Sequence, residues 1–190
     1  MTREAQDTAR QDTARQNTVG NEWEDRAAEL WASIDRHSEA EFLALVDELV
    51  SELPPEHPIG LFERASSLDT TGHSDLAVPL YRSALEIGLT GLRRRRAVIQ
   101  MSSSIRNLGR PEESVALLRA ERDLDPGTLD GPSRALDDAV TATLALALVD
   151  TGNAREAASI ALAALAPHLV RYQRSMGNYA RQILEPDTED

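Results

Sequence analysis

Among side chains able to do chemistry, this sequence offers arginine in quantity and little else. It has no cysteine, which excludes disulfides, thiolate nucleophiles and cysteine-based metal sites. It also has no lysine, so all 20 bases are arginine, a side chain that keeps its proton and favours forked contacts to carboxylates. Codon bias in a GC-rich genome is a plain compositional reading of that imbalance. On one helical segment Arg96, Gln100, Ser103, Arg106 and Asn107 recur at helical spacing and avoid the apolar and small set Val98, Met101, Ser102 and Ile105. This polar, basic stripe is the candidate ligand or peptide groove, because arginine forks and amide groups suit a carboxylate or an acidic peptide. The competing fate of such arginines is pairing with Glu63, Asp69, Asp137 or Asp138 on neighbouring helices, the commoner outcome for helical charges.

Other constellations carry less. Arg93–Arg96 are consecutive, so on a helix they point in four directions and form no single basic face for nucleic acid. His37, His57, His73 and His168 sit at or near expected helix boundaries, without a partner at the spacing of a metal motif. Glu112-Glu113 and Asp137-Asp138 are adjacent on helices and splay apart, which makes poor acid/base pairs. Ser102-Ser103-Ser104 has no neighbouring histidine or glycine elbow. The glycines are turn residues and form no phosphate-cradling loop. The sequence therefore predicts no catalytic residue, no metal site and no cofactor.

Composition narrows the class. Hydrophobic residues make up 41% of the chain and aromatic residues only 4%, so alanine and leucine must do most of the packing. That suits close-packed helices better than sheets. The 32 acids outnumber the bases and leave a formal charge of −12, which disfavours phosphate backbones and anionic lipid. Met1–Asp7 has no apolar core of a signal peptide and no later run is long enough to span a bilayer, which makes the cytoplasm the expected compartment.

The elements that position these residues are helices. Residues 1–20 repeat Gln-Asp-Thr-Ala-Arg and read as a disordered, solvated tail. A helical domain is expected over 21–185. Its opening hairpin, 21–54, begins with the capping-box pattern Asn21/Glu24 and continues with a second, Ser38/Glu41. Three further hairpins are expected over about 58–88, 92–126 and 132–166. Pro58 and Pro111 sit at first-turn positions. Pro79 lies inside a helix. Pro132 or Ser133 begins a long helix running to Thr151, and Asn153/Glu156 forms a third capping-box pattern. A last helix over 168–184 carries Leu169, Tyr172, Met176, Tyr179 and Ile183 at helical spacing. It should cap the preceding helix, unless its tyrosine side docks a second copy, which leaves monomer and homodimer both open. Residues 186–190 read as an acidic tail.

Alignment on Gly72, Gly109 and Gly152 tests whether the hairpins repeat. Four residues before each glycine stand Leu68, Ile105 and Leu148. Seven before stand Ala65, Ser102 and Ala145. Five after stand Ala77, Ser114 and Ala157, and nine after stand Tyr81, Leu118 and Ala161. The small residues allow close helix approach while larger ones fill the gaps. Ala161, and Thr141 at the position eleven before the glycine where the other repeats have Leu61 and Val98, are smaller than this pattern prefers, and Glu121 occupies a position taken by Ala84 and Ala164 in the other repeats. This pattern resembles the tetratricopeptide repeat (TPR). Segments such as Leu61-Phe-Glu-Arg-Ala, Ala77-Val-Pro-Leu-Tyr-Arg and Ile105-Arg-Asn-Leu-Gly-Arg are similar to a family of small bacterial TPR proteins without an established activity. The resemblance implies an all-α, right-handed superhelix of about four antiparallel hairpins plus a C-terminal capping helix. It also implies a non-catalytic scaffold that binds an unknown protein or peptide in its concave groove. Peptide-clamping members of the family hold a terminal carboxylate with lysine and asparagine, and a chain without lysine departs from that pattern. The alternative is a regulatory or sensing module for a small anionic ligand. Nucleic acid and membrane are not expected partners.

Overall fold

The computed structural model describes residues 19–185, all of whose regular structure is helical. The expectations for residues 1–18 and 186–190 fall outside the described residues. The helices are α1 Asn21–Ala32, α2 Glu39–Ser51, α3 Pro58–Thr70, α4 Ser74–Ile87, α5 Gly91–Asn107, α6 Pro111–Arg122, the one-turn α7 Gly131–Arg134, α8 Asp137–Asp150, α9 Ala154–Leu165 and α10 Gln173–Gln182. Short 3-10 turns occupy Ile34–Arg36, Pro126–Thr128 and Ala166–His168. Among the described residues no helix is long and apolar enough to cross a membrane. The chain divides into two compact units, Met1–Ala97 and Val98–Asp190, with the boundary inside α5. The sequence reading expected one helical domain. In a repeat array each hairpin packs chiefly on its neighbours, so contact density can be divided within a helix.

The aligned glycines explain the hairpins. Gly72, Gly109 and Gly152 have φ of 92°, 77° and 79°, the left-handed region that a side chain resists. After each glycine the next amide turns back to the carbonyl of the aligned apolar residue. His73 N–H donates to Leu68 O at 2.8 Å, Arg110 N–H to Ile105 O at 3.2 Å and Asn153 N–H to Leu148 O at 2.8 Å. These bonds satisfy helix-end carbonyls that would otherwise lack partners.

In the first unit α3 and α4 pack through buried Phe62, Ala65, Ala77, Tyr81 and Ala84. Phe42, Val46 and Val50 of α2 form a cluster with Leu30, Trp31 and Ile34. Trp31 meets Phe42 edge-on, ring centroids 5.1 Å apart, and the Trp23 indole donates to Leu49 O at 3.0 Å. In the second unit Leu118 of α6 packs with Val140, Leu144, Ala145 and Leu148 of α8 and Ala157 of α9. Ala161 is exposed, unlike its counterparts Tyr81 and Leu118.

Four local expectations change. Asn21 does not cap α1: the N-cap is Gly20 and no side chain caps it. Asn153 does stand at the N-cap of α9, but it turns its amide to Thr151 O and Oγ1 and makes no side-chain capping bond, so the expected box with Glu156 does not form. Ser38 and Glu41 do form the reciprocal capping box. The long helix expected from Ser133 is broken. Asp130 caps α7 by accepting from Ser133 N–H, Leu136 N–H closes a tighter turn onto Ser133 O, and α8 restarts at Asp137-Asp138, whose charges favour a helix N-terminus. The last helix begins at Gln173 rather than 168, because Tyr172 adopts a left-handed φ of 71°.

Gly60 tests the packing of α2 on α3. A Cβ there would lie 2.8 Å from Val50 Cγ1, well inside contact distance. Gly60→Ala is therefore expected to destabilise the protein by about 1–2 kcal/mol, although alanine is the better helix former. Chemical denaturation measures it, and a more stable variant would show that the two helices have room to part.

Candidate functional site

The four consecutive arginines at the start of α5 meet different fates. Arg93 is the most constrained. Its Nη1 and Nη2 donate to the two Glu24 carboxylate oxygens at 2.8 and 2.7 Å, and its Nε donates to Glu63 Oε1 at 2.9 Å. Glu63 is buried on α3, and its other oxygen accepts from the Trp31 indole at 2.8 Å. One guanidinium thus ties α1, α3 and α5 together. Burial works against its charge, but the Glu24 hydrogen bonds and the attraction of Glu24 and Glu63 outweigh that and hold the Arg93 pKa above the ordinary arginine value. Arg94 is half-buried and Arg95 fully buried, both engaged in the structure. No common basic face results.

Arg96 differs. Its guanidinium carbon lies 5.1 Å from the ring centroid of buried Phe62, whose ring in turn packs at 6.1 Å against Tyr81. Burial pushes the Tyr81 phenol well above its usual range, so it stays neutral beside this stack. Stacking uses the guanidinium's flat face and leaves in-plane N–H groups for an acceptor. Among the described residues no carboxylate lies within ion-pairing distance of Arg96. Arg96 also lines an open cleft of ≈ 400 Å³ with Ile59, Leu89, Thr90, Gly91, Leu92, Arg93 and Glu24. The cleft thus brings together the apolar Ile59, Leu89 and Leu92, the Glu24–Arg93 ion pair, and Arg96, which among the described residues has no carboxylate partner.

The remaining residues of the expected stripe are less alike. Arg106 Nε lies 2.6 Å from Asp150 Oδ2 on α8, so its charge already has a partner, one that the sequence reading did not name. Gln100 is half-buried and engaged, Ser103 is half-buried and Asn107 is exposed. At about 100° per residue, Arg106 also stands about 80° round the helix from Arg96, whereas Gln100, Ser103 and Asn107 fall within about 40° of it. Of the two arginines, only Arg96 presents a cation without a carboxylate. Its Phe62 stack lacked a sequence signal, since the two residues lie on separate helices.

The histidines do occupy boundary positions. His73 and His168 reach Glu39 at 2.6 Å and Asp138 at 2.8 Å. His57 precedes α3 with its Nδ1 buried and unbonded. Among the described residues no three His, Asp or Glu side chains converge as metal ligands.

A family model described as Tetratrico peptide repeat matches residues 58–183, most of the chain. The chain belongs to the tetratricopeptide-repeat family. No curated protein and no solved structure matches it. The family is one of protein-interaction scaffolds, and the match covers α5 and every residue lining the cleft beside it except Glu24.

Two measurements check the electrostatics. Replacing Arg93 with methionine leaves the buried Glu63 carboxylate with only the indole bond. Arg93→Met is expected to destabilise by about 3 kcal/mol, and the added Glu63→Gln change should recover part of it. An effect within about 0.5 kcal/mol in urea unfolding would mean that the three helices do not depend on this tie. Burial and the nearby Arg93 charge hold the His57 pKa below its ordinary 6.5. The unfolded chain therefore takes up a proton first, so stability is full above about 6.5 and falls as pH drops from there toward the folded value. His57→Asn should flatten that part of the pH–stability curve, and an unchanged slope would assign it to another group.

Proposed function

We propose that this TPR protein is a non-catalytic interaction module that receives a partner segment along α5, with Arg96 as its anchor. The observation that carries this reading is the Arg96 guanidinium, stacked on Phe62 at the edge of a cleft whose one carboxylate, Glu24, is held by Arg93. An arginine already oriented by a ring loses little freedom when it grips a carboxylate. The partner that fits is an acidic peptide or a chain end with a free carboxylate, its apolar side chains resting on Ile59, Leu89 and Leu92. Gln100, Ser103 and Asn107 would add hydrogen bonds along the same helix. Arg106 contributes less, because binding must compete with Asp150.

The volume of the cleft supports a second reading. At ≈ 400 Å³ it lies within the range of small-molecule sites, which favours a small anionic ligand in a sensing role.

The experiment is affinity capture with the full chain, followed by calorimetry on the captured molecule. Arg96→Met keeps the hydrocarbon packing on Phe62 and removes the charge. It is expected to weaken binding about tenfold or more, with Arg106→Met weakening it by less than about threefold. A partner that binds Arg96→Met as tightly as the parent would remove the site. A dialysable anion in place of a polypeptide would favour the sensing role.

A further inference from the structure

A second cleft lies at the C-terminal end of the second unit and owes nothing to Arg96. Between Glu156 and Glu185 the sequence has no aspartate or glutamate, yet it contains Arg171, Arg174 and Arg181. In a chain of net charge −12 this is a locally positive segment. The fold holds it in a defined place. Buried Ser159 on α9 donates to Ala180 O at 2.6 Å, and Arg155 donates to Ile183 O through Nε at 3.1 Å and Nη2 at 2.6 Å. These bonds lay α10 on α9 with Ala180 inward. Arg174 and Arg181, seven residues apart, then share one flank of the helix.

Both arginines border an open cleft of ≈ 490 Å³, whose other lining includes Ala163, Ala166, Gly177 and Ala180. Arg174 has no carboxylate within pairing distance among the described residues, and Arg181 reaches only Asn178 on its own helix. Arg26, Arg64, Arg93, Arg106 and Arg119, by contrast, each hold a carboxylate. Among the described residues, then, two guanidinium groups without a carboxylate partner border a lining of small residues. A Cβ built on Gly177 would have only Arg181 Nη1 within 4.0 Å, so the cleft is open at that point.

We propose that this cleft docks an acidic protein segment carrying one bulky apolar side chain. The apolar group rests among the alanines and Gly177, and flanking carboxylates take the N–H forks of Arg174 and Arg181. A small inorganic anion would leave the apolar lining uncovered. A polynucleotide would draw its affinity from many basic contacts, which a chain this acidic does not offer. At physiological ionic strength the remaining acidic surface is screened beyond about 8 Å, so the local arginines decide the sign of the interaction.

The test uses the full chain and a fluorescent, amide-capped peptide of aspartate and glutamate around a single phenylalanine, read by anisotropy at physiological salt. Arg174→Gln with Arg181→Gln is expected to weaken binding about tenfold or more, and Gly177→Leu, which fills the cleft, by a similar factor. Replacing the peptide's phenylalanine with serine should weaken it about as much, a readout that does not depend on any variant folding. Arg96→Met should leave it unchanged, which separates this site from the α5 site. Absence of binding would overturn the proposal, as would equal binding of the serine peptide, which would mean ion exchange alone. Two further outcomes would also overturn it by naming another occupant. One is concentration-dependent association of the chain with itself that requires Arg174 and Arg181 and resists the peptide. The other is peptide binding that appears only after residues 186–190 are deleted.

Discussion

The repeated structure depends on one backbone constraint. A helix must end, reverse within about two residues and begin again with its apolar face toward the helix it has just left. A left-handed glycine does this at Gly72, Gly109 and Gly152. The amide after each glycine donates to Leu68, Ile105 or Leu148, so the residue that packs the hairpin also accepts the bond that closes it. Placement of the small pairs Ala65 and Ala77, Ser102 and Ser114, and Ala145 and Ala157 follows, since each lies at a fixed distance from its glycine and is buried. Side chains at these positions must be small because two helices leaving so tight a turn remain close for several residues.

A second constraint is electrostatic. A chain with many carboxylates and arginine in place of lysine places most of its charges on helix surfaces. The exposed ties, such as Arg26 with Glu52 and Arg64 with Asp47, add little stability in water. Glu63 is different, because it is buried and would be costly without Arg93 and Trp31. Among the described residues Arg96 at one cleft and Arg174 with Arg181 at another have no carboxylate partner, so their charge is not taken up by an internal ion pair.

Much of the helical layout could be read from spacing because its determinants are local. Pro58 and Pro111 open helices where expected, and Ser38 and Glu41 close their box because both side chains lie within reach and neither has a better partner. Asn21 and Glu24 show the same pattern, but Glu24 turns to Arg93, 69 residues away, and so leaves the cap. No local rule could anticipate that competition. The break at Ala135-Leu136 and the late start of α10 after Tyr172 escaped for a related reason, since apolar spacing continues across both points while the backbone does not. Within the candidate stripe, helical spacing placed Arg96, Gln100, Ser103 and Asn107 near one face. It could not reveal that Asp150 takes Arg106 or that Phe62 carries Arg96.

From the sequence alone followed the helical class, the hairpin register, the family resemblance and the lack of thiol chemistry. Each rests on residue type and short spacing, which act within a turn or two of helix. Tertiary structure alone decided which charges are neutralised. An ion pair depends on which helices come within a few ångströms, and residues far apart in sequence set those distances. Arg93 and Arg96 are three positions apart in one run of arginines, yet one became a structural tie between carboxylates and the other lies stacked on Phe62. The elements packed around each made that difference.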